Sequence, residues 1–282
     1  MGTARTIASH ETLRVDHPSP GFETAVSLNA GSLGHDLSPF VELTEFEMSQ
    51  PVFRPHPHAG FSAVTYLFED SAGAFRNRWS KGGDALIGPG SIHWTQAGAG
   101  MMHEEVPTEP GVACHGVQMF VKLAAADELT PPEAFHLDPD EIVELAPEPG
   151  VRIRVLAGRL GDTAAGIGIR NDLAFAEVHL ARGATVALPA PTDHNAFVFV
   201  QRGATTSGGA AIAARDAAAF DHDGDQVELT ATAATSLLFG AGPPLREPAF
   251  ARGPFIMSST DRLDAASAAF QRGEMGRLEP SF

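Results

Sequence analysis

Cysteine is nearly missing from this sequence: Cys114 is the only one among 282 residues. No intramolecular disulfide can form, which fits a reducing cytoplasm. Set in the apolar run VACHGVQMFVKL, that thiol is expected to be buried and inert. Lysine is almost as scarce, with Lys81 and Lys122 alone, and 19 basic residues stand against 35 acidic ones for a net charge of −16. A surface this acidic repels phosphate backbones, and no run of Lys or Arg is dense enough to offset it. Direct binding of nucleic acid or of an anionic membrane is therefore excluded as the expected role. Long apolar runs are also lacking. No stretch approaches the roughly 20 residues of a membrane span, and the first thirty residues hold none long enough for a signal peptide. The expectation is a cytoplasmic protein off the membrane, acting as a monomer.

What is present is a succession of short apolar segments cut by turn signals, in a chain with 29 Gly and 21 Pro. VTYLFE (64–69), DALIGPG (84–90), VQMFVKL (117–123), RIRVLAG (152–158), AFAEVHL (174–180), AFVFVQRG (196–203), QVELTA (226–231) and SLLFGAG (236–242) have strand character. Gly-Gly at 82–83, Gly-Pro-Gly at 88–90 and Asp-Gly-Asp at 223–225 break them. Helical periodicity is convincing only in DRLDAASAAFQRG (261–273), where Asp261 is the N-cap candidate. The pattern predicts an all-β protein, a sandwich or barrel, with a C-terminal helical tail. The acid- and proline-rich run at 130–150 looks like a connector. It suggests an N-terminal domain at 1–130, a connector at 131–150, a second β-domain at 151–245 and a tail at 246–282. VTYLFEDSAG (64–73) and FVFVQRGA (197–204) share a rhythm, as do 82–94 and 214–229, which suggests an old duplication.

Two short stretches carry chemistry. RPHPHAG (54–60) sets His56 and His58 one residue apart in extended, proline-stiffened chain, so both imidazoles point to the same face. GAGMMHEEVP (98–107) repeats that spacing with His103 and Glu105. Two neighbouring strands sending these side chains inward would surround one ion. Three imidazoles and a carboxylate suit Fe(II), Mn, Co, Ni or Zn.

The stretches HPHAGFSAVTYLFEDS, GPGSIHWTQAGAGMMHEEVP, GPPLREPAFARGPFIMSST and AAFQRGEMG together resemble the pirin family of the cupin superfamily. The resemblance implies two tandem cupin barrels (double-stranded β-helix, jelly-roll-like), of which only the N-terminal one binds metal, usually iron. The HxH and HxE ligand elements of that family fall on His56, His58, His103 and Glu105. The sequence departs from many pirins at Ser62, where they carry Glu, which puts the surroundings of the site or its handling of substrate in question. In the second domain His194 has no partner two residues away, so that barrel is expected to be metal-free.

The resemblance also implies a function: an Fe(II)-dependent dioxygenase acting on flavonol or catechol-type substrates, similar to quercetin 2,3-dioxygenases. The alternative it carries is an iron- and redox-sensing regulator that works through a protein partner without turnover. In the enzymatic reading Glu105 accepts the substrate's hydroxyl proton, and Phe53, Trp94 and Met102 are the candidate contacts for a small aromatic substrate. Gln96 could join Trp94 at the barrel mouth, with Trp94 read equally well as an ordinary core aromatic. His93 is expected at the surface of a strand end, His115 as a satisfied core or edge residue, and Glu104 exposed. Arg76 and Arg78 are candidates to steer an anionic or phenolate ligand, against the commoner reading of solvated loop residues.

Overall fold

Alternating inward and outward side chains on antiparallel strands generate nearly all of the ordered structure. The computed structural model describes residues 2–282, and they fall into two compact units. One consists of Val15–Ser27, Val41–Pro139 and Leu245–Phe282. The other takes the N-terminal residues through Arg14, then Leu28–Phe40 and Asp140–Pro244.

The first unit pairs a seven-stranded sheet with a four-stranded one. The larger runs in the order Glu133–Leu137, Ile92–Gln96, Phe61–Leu67, Cys114–Lys122, Phe40–Met48, Phe22–Asn29 and Val15–Asp16. The smaller runs His56–His58, Met101–Pro107, Phe75–Trp79 and Gly83–Ile87. Phe46, Leu67, Phe75, Ile87 and the buried Cys114 pack together between them. Burial raises the Cys114 thiol to about 11, so it stays protonated, as expected of an inert core cysteine.

The second unit repeats the plan. Its larger sheet has the order Ile7–Thr12, Asp216–Phe220, Asn195–Arg202, Thr235–Gly242, Ala174–Leu180, Val151–Leu160 and Val143–Leu145, with Thr163–Ala164 paired to Val151–Leu160. Its four-stranded sheet runs Thr185–Pro189, Gln226–Ala231, Ala204–Ser207 and Ala210–Ala213. The shared rhythm of the two halves becomes a shared topology: Phe61–Leu67 and Asn195–Arg202 occupy the same place in equivalent sheets. One difference matters for chemistry. Where the first unit pairs His56 with His103, the equivalent strands of the second pair Val186 with Leu229 and Leu188 with Val227, all four in its apolar core.

The acid- and proline-rich stretch at 130–150 holds two short strands. Glu133–Leu137 adds to the edge of the first unit's large sheet and Val143–Leu145 to that of the second. Ile7–Thr12 closes the opposite edge of the second large sheet, against Asp216–Phe220. Its polar sequence gives no strand signal, because only one edge of it is paired and little of it is buried.

The tail forms the helix Thr260–Gln271, as the periodicity predicts, but its cap is Ser259. The Ser259 hydroxyl accepts from the Arg262 N–H, and Asp261 sits one step inside, in the first turn. Leu263 and Ala266 pack with Ala59, Phe255, Met257 and Met275 of the same unit. Among the described residues no helix is long and apolar enough to cross a membrane.

Candidate metal centre

His56–His58 is the edge strand of the four-stranded sheet, a place that tolerates Pro57, which has no N–H to donate. It pairs antiparallel with Met101–Pro107, setting His56 opposite His103 and His58 opposite Met101. Alternation then gives Met101, His103 and Glu105 one face and Met102 and Glu104 the other.

The three imidazoles converge. Their ring centroids are 4.6 to 4.8 Å apart, and one nitrogen from each lies within 4.8 Å of the other two. His56 Nε2 and His103 Nε2 are 3.1 Å apart. Two imidazole nitrogens bound at right angles to one ion at about 2.1 Å would lie about 3 Å apart. His56 Nδ1 lies 2.9 Å from the Arg54 carbonyl, an arrangement that puts the proton on Nδ1 and leaves the Nε2 lone pair facing its neighbours. His103 Nδ1 is buried without a protein partner, and His58 lies against the Pro254 backbone.

Electrostatics agrees. Burial, reinforced by the charge of His56, lowers the His58 pKa to about 3, and burial likewise lowers His56. His103 falls well below its ordinary value through burial and the neighbouring imidazoles. All three are neutral near pH 7, the state in which imidazole binds metal. The donor set and its geometry fit a divalent transition-metal ion.

Glu105 lines the same small cavity of about 120 Å³, together with the three histidines, Phe53, Gln118 and Phe120. Its Oε1 accepts from Thr65 Oγ1 at 2.6 Å and Asn77 Nδ2 at 2.8 Å, which leaves Oε2 for the cavity. Burial raises its pKa, partly opposed by those two hydrogen bonds.

Of the expected substrate contacts, only Phe53 meets the cavity. It is 46% exposed, with its ring 6.4 Å from that of His56. Trp94 is fully buried, in register with Val64 and Phe135 on the face of its sheet opposite to His93, and it does not line the cavity. Met102 does not line it either: its backbone N–H meets Ser80 Oγ and the Met275 carbonyl, and its side chain is turned away from His103 by alternation. Gln96 is buried with an amide hydrogen bond to Glu133.

Several bystanders differ from expectation. His93 is 1% exposed, not at the surface. Its register with Thr65 turns it inward, in a row with Gln118, Thr65 and His136 across four strands. Neither of its ring nitrogens meets a protein partner, and the Trp79 ring lies 5.3 Å away. Glu104 points away from the cavity as expected, yet it is buried, ion-paired with Arg78 and accepting the Ser281 N–H. Burial alone would raise its pKa, but those partners hold it below the usual range. Arg76 is committed to Asp84. Neither arginine is among the residues lining the cavity, because both alternate to its outer face. Ser62 likewise faces away from it, on the opposite side of its strand from Thr65. His115 is satisfied, between Glu45 and Asp70. His194 is a strand-start residue whose backbone carbonyl accepts from Arg5.

Sequence reasoning missed Thr65, Asn77, Gln118 and Phe120. Asn77, Gln118 and Phe120 come from two strands outside the quoted motifs, Thr65 sits in a motif stretch that does not mark it, and only cross-strand register aims the four at the histidine cluster.

A His₃ cluster with two buried rings and one half-buried, beside a buried carboxylate and inside one of two barrels with the same strand order, defines a two-barrel cupin with a candidate metal centre in its first barrel. Residues 21–121 match the pirin family model and residues 175–276 match that of the pirin C-terminal cupin domain. The chain belongs to the pirin family. It is 33% identical to a pirin-like protein of Caulobacter vibrioides over 84% of this chain and 87% of the relative. Human pirin is 28% identical over 98% of this chain and 96% of its own length. A crystal structure described as quercetin 2,3-dioxygenase from Acinetobacter baumannii superposes with a TM-score of 0.87 at 27% identity, covering 98% of this chain and all of that one.

Proposed function

We propose that His56, His58, His103 and Glu105 hold a divalent metal, iron(II) foremost, with zinc, manganese, nickel and cobalt admitted by the donor set, and that the centre oxidises a small flavonol or catechol-type aromatic with dioxygen. Convergence of three neutral imidazoles on one point, next to a buried carboxylate, is the observation that carries this reading. Ferrous iron with open positions supplies chelation of two substrate oxygens and activation of dioxygen.

The chain's own residues do the rest. The Arg54 carbonyl fixes the tautomer of His56. Thr65 and Asn77 hold one oxygen of Glu105, so Oε2 is the one that would meet the metal and, when loosened from it, would take the proton of a substrate hydroxyl. Phe53, Phe61 and Phe120 set aromatic rings against the imidazoles. Only the first barrel takes part, since valine and leucine fill the equivalent positions of the second. The buried, unpaired thiol fits a cytoplasmic setting.

The test is dioxygen consumption by iron-loaded protein with quercetin. Turnover is expected in the wild type and at least a 100-fold loss in His56→Ala and in Glu105→Gln. Full metal loading without turnover across flavonols and catechols would contradict the enzymatic reading and leave the redox-regulatory one.

A further inference from the structure

A second chamber of about 370 Å³ adjoins the imidazole cavity, and both are lined by Phe53, Glu105, Gln118 and Phe120. Its size is that of a pocket for a ligand of two or three rings. Phe22, Phe46 and Phe75 supply further aromatic wall. Against that wall stands one polar patch. Glu42 and Thr44 on the strand Phe40–Met48 share an inward face with Ser27 of the adjacent strand. Ser27 Oγ and Thr44 Oγ1 are 2.8 Å apart, and the Thr44 hydroxyl donates to Glu42 Oε1 at 3.1 Å. Ser27 thus supports Thr44, Thr44 fixes the carboxylate, and Glu42 Oε2 is the acceptor offered to the chamber.

The charge of the chamber is one-sided. Asp16, Glu42 and Glu105 line it, and no Lys, Arg or His does. The nearby arginines do not compensate: Arg76 and Arg78 are held by Asp84 and Glu104 on the outer face. A carboxylate or phosphate on the ligand would enter an aromatic-walled space beside the half-buried Glu42. A hydroxyl group, by contrast, gives Glu42 the donor that an ionised carboxylate needs.

We propose that Glu42, positioned by Thr44 and Ser27, is a specificity-determining residue that selects an uncharged aromatic bearing a hydroxyl group at the end remote from the imidazoles, and that the chamber rejects carboxylated or phosphorylated analogues. The inference rests on the proposed function, whose chelating end it extends to the far end of the ligand.

The experiment compares three probes on nickel-loaded protein, where binding is read without turnover. They are quercetin, 3-hydroxyflavone with no hydroxyl on its pendant ring, and 3-hydroxyflavone carrying a carboxylate on that ring. Wild type is expected to bind quercetin most tightly and the carboxylate most weakly. In Glu42→Gln the quercetin-to-3-hydroxyflavone affinity ratio should fall about tenfold, the loss of one hydrogen bond to a charged acceptor, and the carboxylate should bind better. Thr44→Val, which removes the support but not the charge, should lower the same ratio without helping the carboxylate. An unchanged ratio in both variants, with nickel content and thermal midpoint at wild-type values, overturns the role of Glu42 while leaving the metal centre intact. No binding of any probe to the wild type, or binding unaffected by His56→Ala, overturns the functional reading and this inference with it.

Discussion

His93 shows how strongly burial acts on one group in this barrel. Desolvation, with the nearby His136, lowers its pKa from 6.5 to about 3, and no protein atom accepts or donates at either ring nitrogen. In the unfolded chain the imidazole titrates at its ordinary value. Below pH 6.5 the unfolded state therefore binds a proton that the folded state refuses, and stability falls as pH drops from about 6.5 towards about 3. The slope for this single group approaches about 1.4 kcal/mol per pH unit. His93→Gln abolishes that contribution. Urea unfolding of metal-free protein at pH 7 and pH 5 should show a pH-dependent loss smaller by about 2 kcal/mol in the variant. Equal losses in variant and wild type would refute the assignment.

At the scale of elements, the turn that joins the ligand strand to the barrel is held from two sides. Gly60, two residues after His58, has φ +82°, and a Cβ there would come within 2.0 Å of the Ile256 carbonyl in the strand Phe255–Met257. Its carbonyl accepts from the fully buried Lys122, which also donates to the Leu123 carbonyl and pairs with Glu128. Glu128 in turn accepts from Ser258 and Arg262 of the tail. One of the chain's two lysines thus ties the ligand turn to the C-terminal helix. Lys122→Met leaves Glu128 buried with fewer partners and is expected to cost on the order of 3–5 kcal/mol. Gly60→Ala should cost at least 1–3 kcal/mol from backbone strain alone. Both should weaken metal binding, since the turn that anchors the strand His56–His58 shifts. Thermal denaturation with and without metal checks this. A variant that loses stability yet binds metal with unchanged affinity would show that the turn does not position the ligands.

At the scale of the molecule, the strong strands and the convergence of His56, His58 and His103 were legible in the sequence because each rests on local spacing. Asn195–Arg202 and Thr235–Gly242 are continuous apolar runs, buried along most of their length. His56, His58, His103 and Glu105 obey a two-residue period that survives any choice of partner strand. What could not be read depends on register between distant strands. Whether His93 or Trp94 faces the interior is set by the pairing of Thr65 with His93, and nothing in GSIHWTQAG states it. Met102, one residue from His103, is turned off the cavity face by parity alone. Glu104 had its parity right and its exposure wrong, because the burial comes from Arg78 and from Ser281, 177 residues downstream. The aromatic chamber was invisible for the same reason: Phe22, Phe46, Phe75 and Phe120 lie on four strands with no common motif. The edge strand Ile7–Thr12 shows the converse, a polar segment made into strand by the sheet it completes.

The central claim is that three imidazoles and one carboxylate of the first barrel bind a single ion. Elemental analysis of protein purified without chelating resin, and again after anaerobic reconstitution with iron(II), tests it most directly. The expected result is about one transition-metal equivalent per chain, falling to near zero in a folded His56→Ala, His103→Ala double variant. Less than about half an equivalent before and after reconstitution, or a full equivalent retained by the double variant, would contradict it.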